Sequence, residues 1–186
     1  MVLAGVNFTL MWLMGSGDFK AAFKDEEFRT YLFYIFAAVL LITASLVIVG
    51  VALGNAVLDT LFHVLSIGTS TGYASADYTE WPGVARIVLF LLMIVGACAG
   101  STSGGLKLMR IRIGVKVAFR ELARIAQPRK IHMIRMNNEV VEDKQVSLVV
   151  GMLFIWVILF GFSCIVLAMM MPDASFETIL SVAASG

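Results

Sequence analysis

Three apolar runs decide the solvent in which this chain folds. Tyr31–Leu53, Val84–Cys98 and Val146–Met171 carry one charge among them, Arg86. A helix needs about 20 apolar residues to cross a bilayer core about 30 Å thick. The first and third runs are long enough alone, and the second gains length beyond the glycines that follow it. None reads as a cleaved leader, because each is followed by more chain of the same character. Composition agrees, with 60% hydrophobic and 15% charged residues against roughly 25% charged in soluble proteins. The mean hydropathy is +0.92. The sequence predicts an all-α, multi-pass integral membrane protein.

A net charge of +1 says little, but its placement says more. Ten of the 14 Lys and Arg residues lie between Lys107 and Lys144, against four acids. The positive-inside rule puts that connection on the cytoplasmic side, where it also reads as a solvated linker helix. Lys20, Lys24 and Arg29 suggest the same side, diluted by Asp18, Asp25, Glu26 and Glu27. Gly54–Pro82 holds Asp59, Asp77 and Glu80 without Lys or Arg, which suits the outside. Cys98 and Cys164 sit in apolar surroundings as small buried hydrophobes, with no metal-ligand or disulfide spacing. The chain opens on what reads as the last turns of a helix already under way, "MVLAGVNFTLMWLM". It stops within an apolar segment, and the expectation is a fragment of a longer protein.

Between the first two spans, Ala56–Gly68 is apolar but short, about 20 Å of helix. It cannot cross, so with both ends outside it becomes re-entrant; a short helix lying on the membrane surface is the alternative. Thr69-Ser70-Thr71-Gly72-Tyr73 follows, and non-helical backbone at membrane depth must be buried in protein or line a water-filled cavity. The pattern recurs: Asp59–Gly68 aligns with Glu177–Gly186, 118 positions later, after another span. Repeats of this kind are common in transporters. A re-entrant helix entering from outside points its negative C-terminal end at the membrane centre. Backbone carbonyls of "TSTGY" there replace the hydration shell of a cation, with hydroxyls of Thr69, Ser70 and Thr71 as further oxygen ligands. No carboxylate lies within the stretch, which favours a monovalent ion over calcium.

The second span ends in "AGSTSGGLK", which superficially resembles a phosphate-binding loop. That motif needs lysine directly after the second glycine, then Ser or Thr. Here Leu106 follows Gly105, the lysine comes one place late at Lys107, and Leu108 replaces the hydroxyl. Gly96, Gly100 and Gly104 at four-residue spacing would also suit close helix packing. Ser101, Thr102 and Ser103 between glycines make a continuous helix a poor fit, since glycine costs about 1 kcal/mol against alanine.

"TSTGY", then "AGSTSGGLKLMRI" about 30 residues on, then a basic linker and another span, together resemble the Trk/Ktr/HKT superfamily of potassium transporters, and within it the bacterial TrkH-type uptake proteins. "GVNFTLMW" followed by "DEEFRTYL" resembles the join between that family's second and third repeats. The resemblance implies potassium-channel-like helix–pore loop–helix repeats with re-entrant pore helices, four to a pore. It assigns residues 1–30 to the end of repeat two and a linker, and 31–125 to repeat three. Within repeat three it implies a span at 31–53, a pore helix at 56–68, a filter at 69–73, and a second span over 84–120 broken by an intramembrane loop at 97–105. A cytoplasmic linker at 126–145 follows. Residues 146–186 become the first half of repeat four, with its span at 146–171 and pore helix at 175–186.

Carried over, Ser70, Thr71 and Gly72 hold potassium, flanked by Thr69 and Tyr73. Gly100, Ser101, Thr102, Ser103, Gly104, Gly105 and Lys107 form a gating loop beneath them, favoured over a static packing kink. A quarter of a filter conducts nothing, so the chain alone is expected to be inactive. The implied setting is a bacterial inner membrane, a homodimer in lipid, and a cytoplasmic nucleotide-binding regulatory subunit docking around Lys116–Arg135. No covalent cofactor and no nucleic acid is implied, potassium being the cargo. Two rivals stand beside this reading: a non-conducting membrane subunit, and an enzyme using Asp59, His63 and Asp77 at the outer surface. With no nucleophile–base set in the sequence, the enzyme is disfavoured. His63 reads as packed or hydrogen-bonded, and Trp81 and Tyr78 as interface residues.

Overall fold

The computed structural model describes residues 1–17, 19–126, 133–137 and 139–185. Eight α-helices are found among them: α1 (Phe8–Gly15), α2 (Phe19–Lys24), α3 (Glu26–Ile48), α4 (Leu53–Gly68), α5 (Gly83–Val95), α6 (Leu108–Ala126), α7 (Asp143–Met170) and α8 (Phe176–Ser185). A two-residue antiparallel ladder pairs β1 (Arg135–Met136) with β2 (Glu139–Val140). It lies in the stretch expected to be a plain linker.

Among the described residues, α3 and α7 are the helices long and apolar enough to cross a membrane, with mean hydropathies over 18 residues of 2.4 and 2.7. The helix α3 begins five residues before the apolar run predicts. Asp25 caps it by accepting the Phe28 N–H at 2.8 Å, and Glu26 and Glu27 occupy the first turn, where the helix dipole favours acids. Charge is tolerated there because Arg112 meets it: one guanidinium nitrogen donates to the Glu26 carbonyl (2.5 Å) and the Thr30 hydroxyl (2.6 Å), the other to the Glu26 carboxylate (2.8 Å). Likewise α7 starts at Asp143, three residues early. Arg120 on α6 pairs with that Asp143 at 3.1 Å.

The opening segment departs from expectation. It is not one continuous helix: a 3-10 turn at Val2–Gly5 is followed by a separately capped helix α1. Asn7 caps α1, its side-chain oxygen accepting the Thr9 N–H at 2.9 Å. The half-length helix gains a turn at its start, giving α4 16 residues or about 24 Å. That is still too short to cross the hydrocarbon.

Packing centres on a three-way contact of α3, α4 and α5. Ala38, Ile42 and Leu46 of α3 meet Ala56 and Val64 of α4 and Ala85, Leu89 and Leu92 of α5. An alanine on each helix lets the backbones approach closely, as membrane helices without a hydrophobic driving force require. A second cluster joins Val6 and Leu10 to Phe28, Tyr31, Ala97, Cys98 and Leu108. A third, of Ile113, Ile134, Met136 and Val146, ties α6 and the small ladder to α7. Along α7, Leu148, Phe154, Ile158, Phe162 and Ile165 are exposed, a surface suited to hydrocarbon or further protein.

The polar end of α3 is a charged node closed by Asn137. Its amide donates to Asp25 at 2.7 Å and accepts the Glu26 N–H at 2.9 Å. Arg112→Met removes the half-buried donor that holds this node, and is expected to cost about 2 kcal/mol. Arg124→Met, which breaks an exposed pair with Glu121, should cost less than about 0.5 kcal/mol. Thermal denaturation of the detergent-solubilised protein separates the two.

Candidate functional site

The C-terminus of α4 does not run into a free loop. Thr69 N–H still reaches the Leu65 carbonyl at 3.1 Å, and the Ser70 N–H reaches Ile67 at 3.0 Å. The Thr71 N–H turns back to the Ser66 carbonyl at 2.8 Å. Ser70 (φ 55°) and Gly72 (φ 79°) both occupy the left-handed region, which glycine adopts readily and serine at a cost. The N–H groups of Thr69, Ser70, Thr71 and Gly72 are all used, but among the described residues no hydrogen bond reaches the carbonyls of the same four residues. Thr69 is buried, its hydroxyl donating to Leu65 and lying 2.6 Å from the Thr71 hydroxyl. Ser70, Thr71, Gly72 and Tyr73 are exposed. The Tyr73 carbonyl is already taken by the Ser66 hydroxyl at 2.6 Å. The predicted five-residue set therefore divides into a buried Thr69, an open Ser70–Gly72 edge and an occupied Tyr73 carbonyl.

The glycine-rich segment is non-helical from Gly96 to Lys107, between α5 and α6. Its ends meet: Leu106, Lys107 and Leu108 donate their N–H groups to Ile94, Val95 and Ala97 at 3.0, 3.1 and 3.0 Å. Gly96 makes this closure possible. It sits at φ 68°, and a Cβ there would lie 2.2 Å from the Gly104 carbonyl oxygen. Lys107 itself has φ 69°, a strained value for a side-chain-bearing residue. Its ammonium turns back over the loop, donating to the carbonyls of Ser101 (3.2 Å) and Ser103.

The rest of the loop is satisfied by other segments, as buried polar backbone demands. The Cys98 N–H donates to the Gly5 carbonyl, and the Gly100 carbonyl accepts the Phe8 N–H, both at 3.1 Å. The Thr102 hydroxyl donates to Ala4 at 3.0 Å. The Ala99 N–H donates to the carboxylate of Glu27, 6% exposed, at 2.6 Å. The inner tip touches the Thr69–Tyr73 turn directly: Gly104 N–H donates to the Ser70 hydroxyl at 3.0 Å, and the Ser103 hydroxyl to the Gly68 carbonyl at 3.3 Å. Beside this contact lies a cavity of about 530 Å³ lined by Ser70, Gly72, Gly104, Trp156 and Ser163 among others. No three-residue His, Cys, Asp or Glu cluster that could hold a metal is found among the described residues.

No residue pattern singles out Asn7, Glu27, Ser66 or Tyr31, whose hydroxyl donates to the Val2 carbonyl at 3.2 Å. Polar residues one turn inside an apolar run were the available signal. His63 is packed and hydrogen-bonded, as its apolar surroundings suggest. The equivalent turn after α8 would begin at Gly186, which lies outside the described residues.

Two spanning helices, a half-length helix ending in a turn of free carbonyls, and a folded break in the next helix are the parts of an all-α membrane transporter. The chain belongs to the TrkH family, described as "Cation transport protein", which it matches over residues 27–186. It is 30% identical to the Trk system potassium uptake protein TrkH of Halomonas elongata, over 74% of this chain and 29% of that protein. To the Escherichia coli protein TrkH it is 29% identical, over 86% of this chain and 34% of the relative. To the Escherichia coli protein TrkG it is 28% identical, over 96% and 38%. The crystal structure of the potassium transporter TrkH from Vibrio parahaemolyticus superposes on 99% of the chain, with a TM-score of 0.89 and 26% identity, using 40% of that structure. The chain thus spans about a third of the length of the curated relatives it matches.

Glu27→Ala removes the acceptor that holds the Ala99 N–H beside buried Cys98. Maleimide labelling of Cys98 is expected to quicken about tenfold, the equivalent of about 1.4 kcal/mol of lost restraint, with Cys164 labelling unchanged. Equal Cys98 rates in both proteins would show that the carboxylate does not hold the loop.

Proposed function

We propose that this chain contributes part of a potassium-conducting path in a bacterial inner membrane, working within a longer multi-pass protein. On this reading α3–α5 form the third of four helix–pore loop–helix repeats, and α7–α8 begin the fourth. The single observation that carries the proposal is the open Ser70–Gly72 edge, whose carbonyls are unengaged at the negative end of α4. Dipole and carbonyl oxygens there favour a dehydrated cation, and the relatives' names give potassium as that cation. Ser70, Thr71 and Gly72 then supply the coordinating oxygens. Thr69 and Tyr73 shape the turn from behind. The Gly54–Pro82 segment faces outside, and the charged node of Asp25, Glu26 and Arg112 faces the cytoplasm.

The loop at 97–105 is the gate in this scheme. Gly100 to Gly105 and Lys107 close the path beneath the filter, and the contacts of Ser103 and Gly104 with Gly68 and Ser70 support that placing. The approach of Gly96 to Gly104 supports a folded loop over a helix-packing stripe. A homodimer, with a nucleotide-binding cytoplasmic subunit near Lys116–Arg135, completes the proposal; residues 127–132 of that surface lie outside the described residues. The chain by itself, holding one filter turn, does not conduct.

Gly72→Ser places a side chain at φ 79° and is expected to lower potassium-over-sodium selectivity of the full-length transporter about tenfold, near 1.4 kcal/mol of misplaced coordination. Unchanged fluxes of both ions would defeat the filter assignment. Removing residues 101–103 should raise leak flux severalfold in cells lacking other potassium uptake; a well-assembled protein with no added leak would leave the loop a static kink.

A further inference from the structure

His63 lies off the proposed ion path, yet it is fully buried and held at both ring nitrogens. Nδ1 is 2.8 Å from the Asp59 carbonyl oxygen, one turn earlier in α4. Nε2 is 3.1 Å from the carbonyl oxygen of Ala76, in the segment that leaves the Thr69–Tyr73 turn. Both partners only accept. A neutral imidazole has one N–H and one lone pair, whereas the imidazolium donates from both nitrogens. In the neutral form one of these contacts therefore sets lone pair against lone pair. The rings of Trp81, Tyr78 and Phe62 pack against it in edge-type contacts, with centroids 4.8, 5.9 and 6.0 Å away, and fix the plane of the imidazole.

We propose that His63 is a positioning residue of the filter: doubly protonated, it clasps α4 to the segment leaving the filter, and on losing a proton it releases Ala76. This rests on the filter reading above. Asp59, His63 and Ser66 lie on one face of α4, at i, i+4 and i+7. Together they hold the far side of the turn, through the Ser75 hydroxyl (3.4 Å), the Ala76 carbonyl and the Tyr73 carbonyl. Of the three, histidine is the side chain whose class changes charge between about pH 5 and 8.

The other titratable or charged groups on the packed elements are Asp59 on α4, Tyr73, Asp77, Tyr78 and Glu80 on the connecting segment, and Arg86 on α5. The adjoining half of α3, Ala38–Ile48, brings none. Asp77 is held below the usual carboxylate range by hydrogen bonds from the Thr79 hydroxyl and N–H, so it stays ionised across that range. Arg86 is engaged by Glu177 at 2.5 Å.

The test is potassium and sodium uptake by the full-length transporter across external pH from about 5 to 8. Wild-type selectivity for potassium should fall about threefold to tenfold as pH rises and one charge-assisted bond is lost. His63→Gln does not titrate and should give a flat profile. Potassium uptake with the same pH profile in both proteins overturns this inference alone; no potassium uptake in the wild type at any pH overturns the filter reading and this with it. Histidine 15N NMR of the wild-type protein gives a readout free of any variant. A buried ring with both nitrogens protonated at low pH supports the clasp, and a ring neutral throughout refutes it.

Discussion

Every departure from helix in this chain has to answer one demand: a backbone N–H or carbonyl at membrane depth needs a partner that lipid does not provide. Residues 69–77 and 96–107 are the two departures that meet each other. The first folds the N–H groups of residues 69–72 back onto the last turn of α4, leaves the carbonyls of those four residues unengaged, and hands the Tyr73 and Ala76 carbonyls to Ser66 and His63. The second closes on itself at the base and hands its remaining groups to Gly5, Phe8, Glu27, Gly68 and Ser70. Neither conformation stands alone. Each is made possible by the other and by α3, whose first turn carries the carboxylate that receives Ala99.

The side chains that shape the candidate site are therefore mostly outside it. Asn7 starts a helix whose first N–H caps the loop, and Ser66 takes one carbonyl of the turn while leaving the rest open. Lys107 illustrates the economy of the arrangement. A charge in a membrane segment is costly unless it meets carbonyls, a partner charge or water, and its ammonium meets two carbonyls of its own loop. Polar groups here serve to fix backbone, and the chemistry left for a ligand is what they do not consume.

Much of this was legible in the residues. Apolar run lengths gave the class, the short run before "TSTGY" gave a helix too short to cross, and the glycines after Cys98 gave the break. Helix ends were less legible. Hydropathy placed the first span at Tyr31, but Asp25 caps it and Arg112, more than 80 residues away in sequence, shelters Glu26. No local pattern reports such a partner. The opening segment misled for a similar reason: "MVLAGVNFTLMWLM" is apolar throughout, so the Asn7 cap was hidden inside what looked like a continuous helix. Glu27 reads in the sequence as one of the acids that dilute the Lys20, Lys24 and Arg29 cluster. Its burial follows from the tertiary position of Ala99, which the sequence does not state.

The three backbone bonds from residues 106–108 to residues 94–97 carry a mechanical consequence. They form a neck that splices α5 to α6 across the root of the loop, so tension applied along α6 reaches α5 without stretching residues 98–105. A pull from the charged end of the molecule would move the two helices as one rod. The loop would ride along as a tab hinged at its root, its displacement set by which of its lateral contacts let go first.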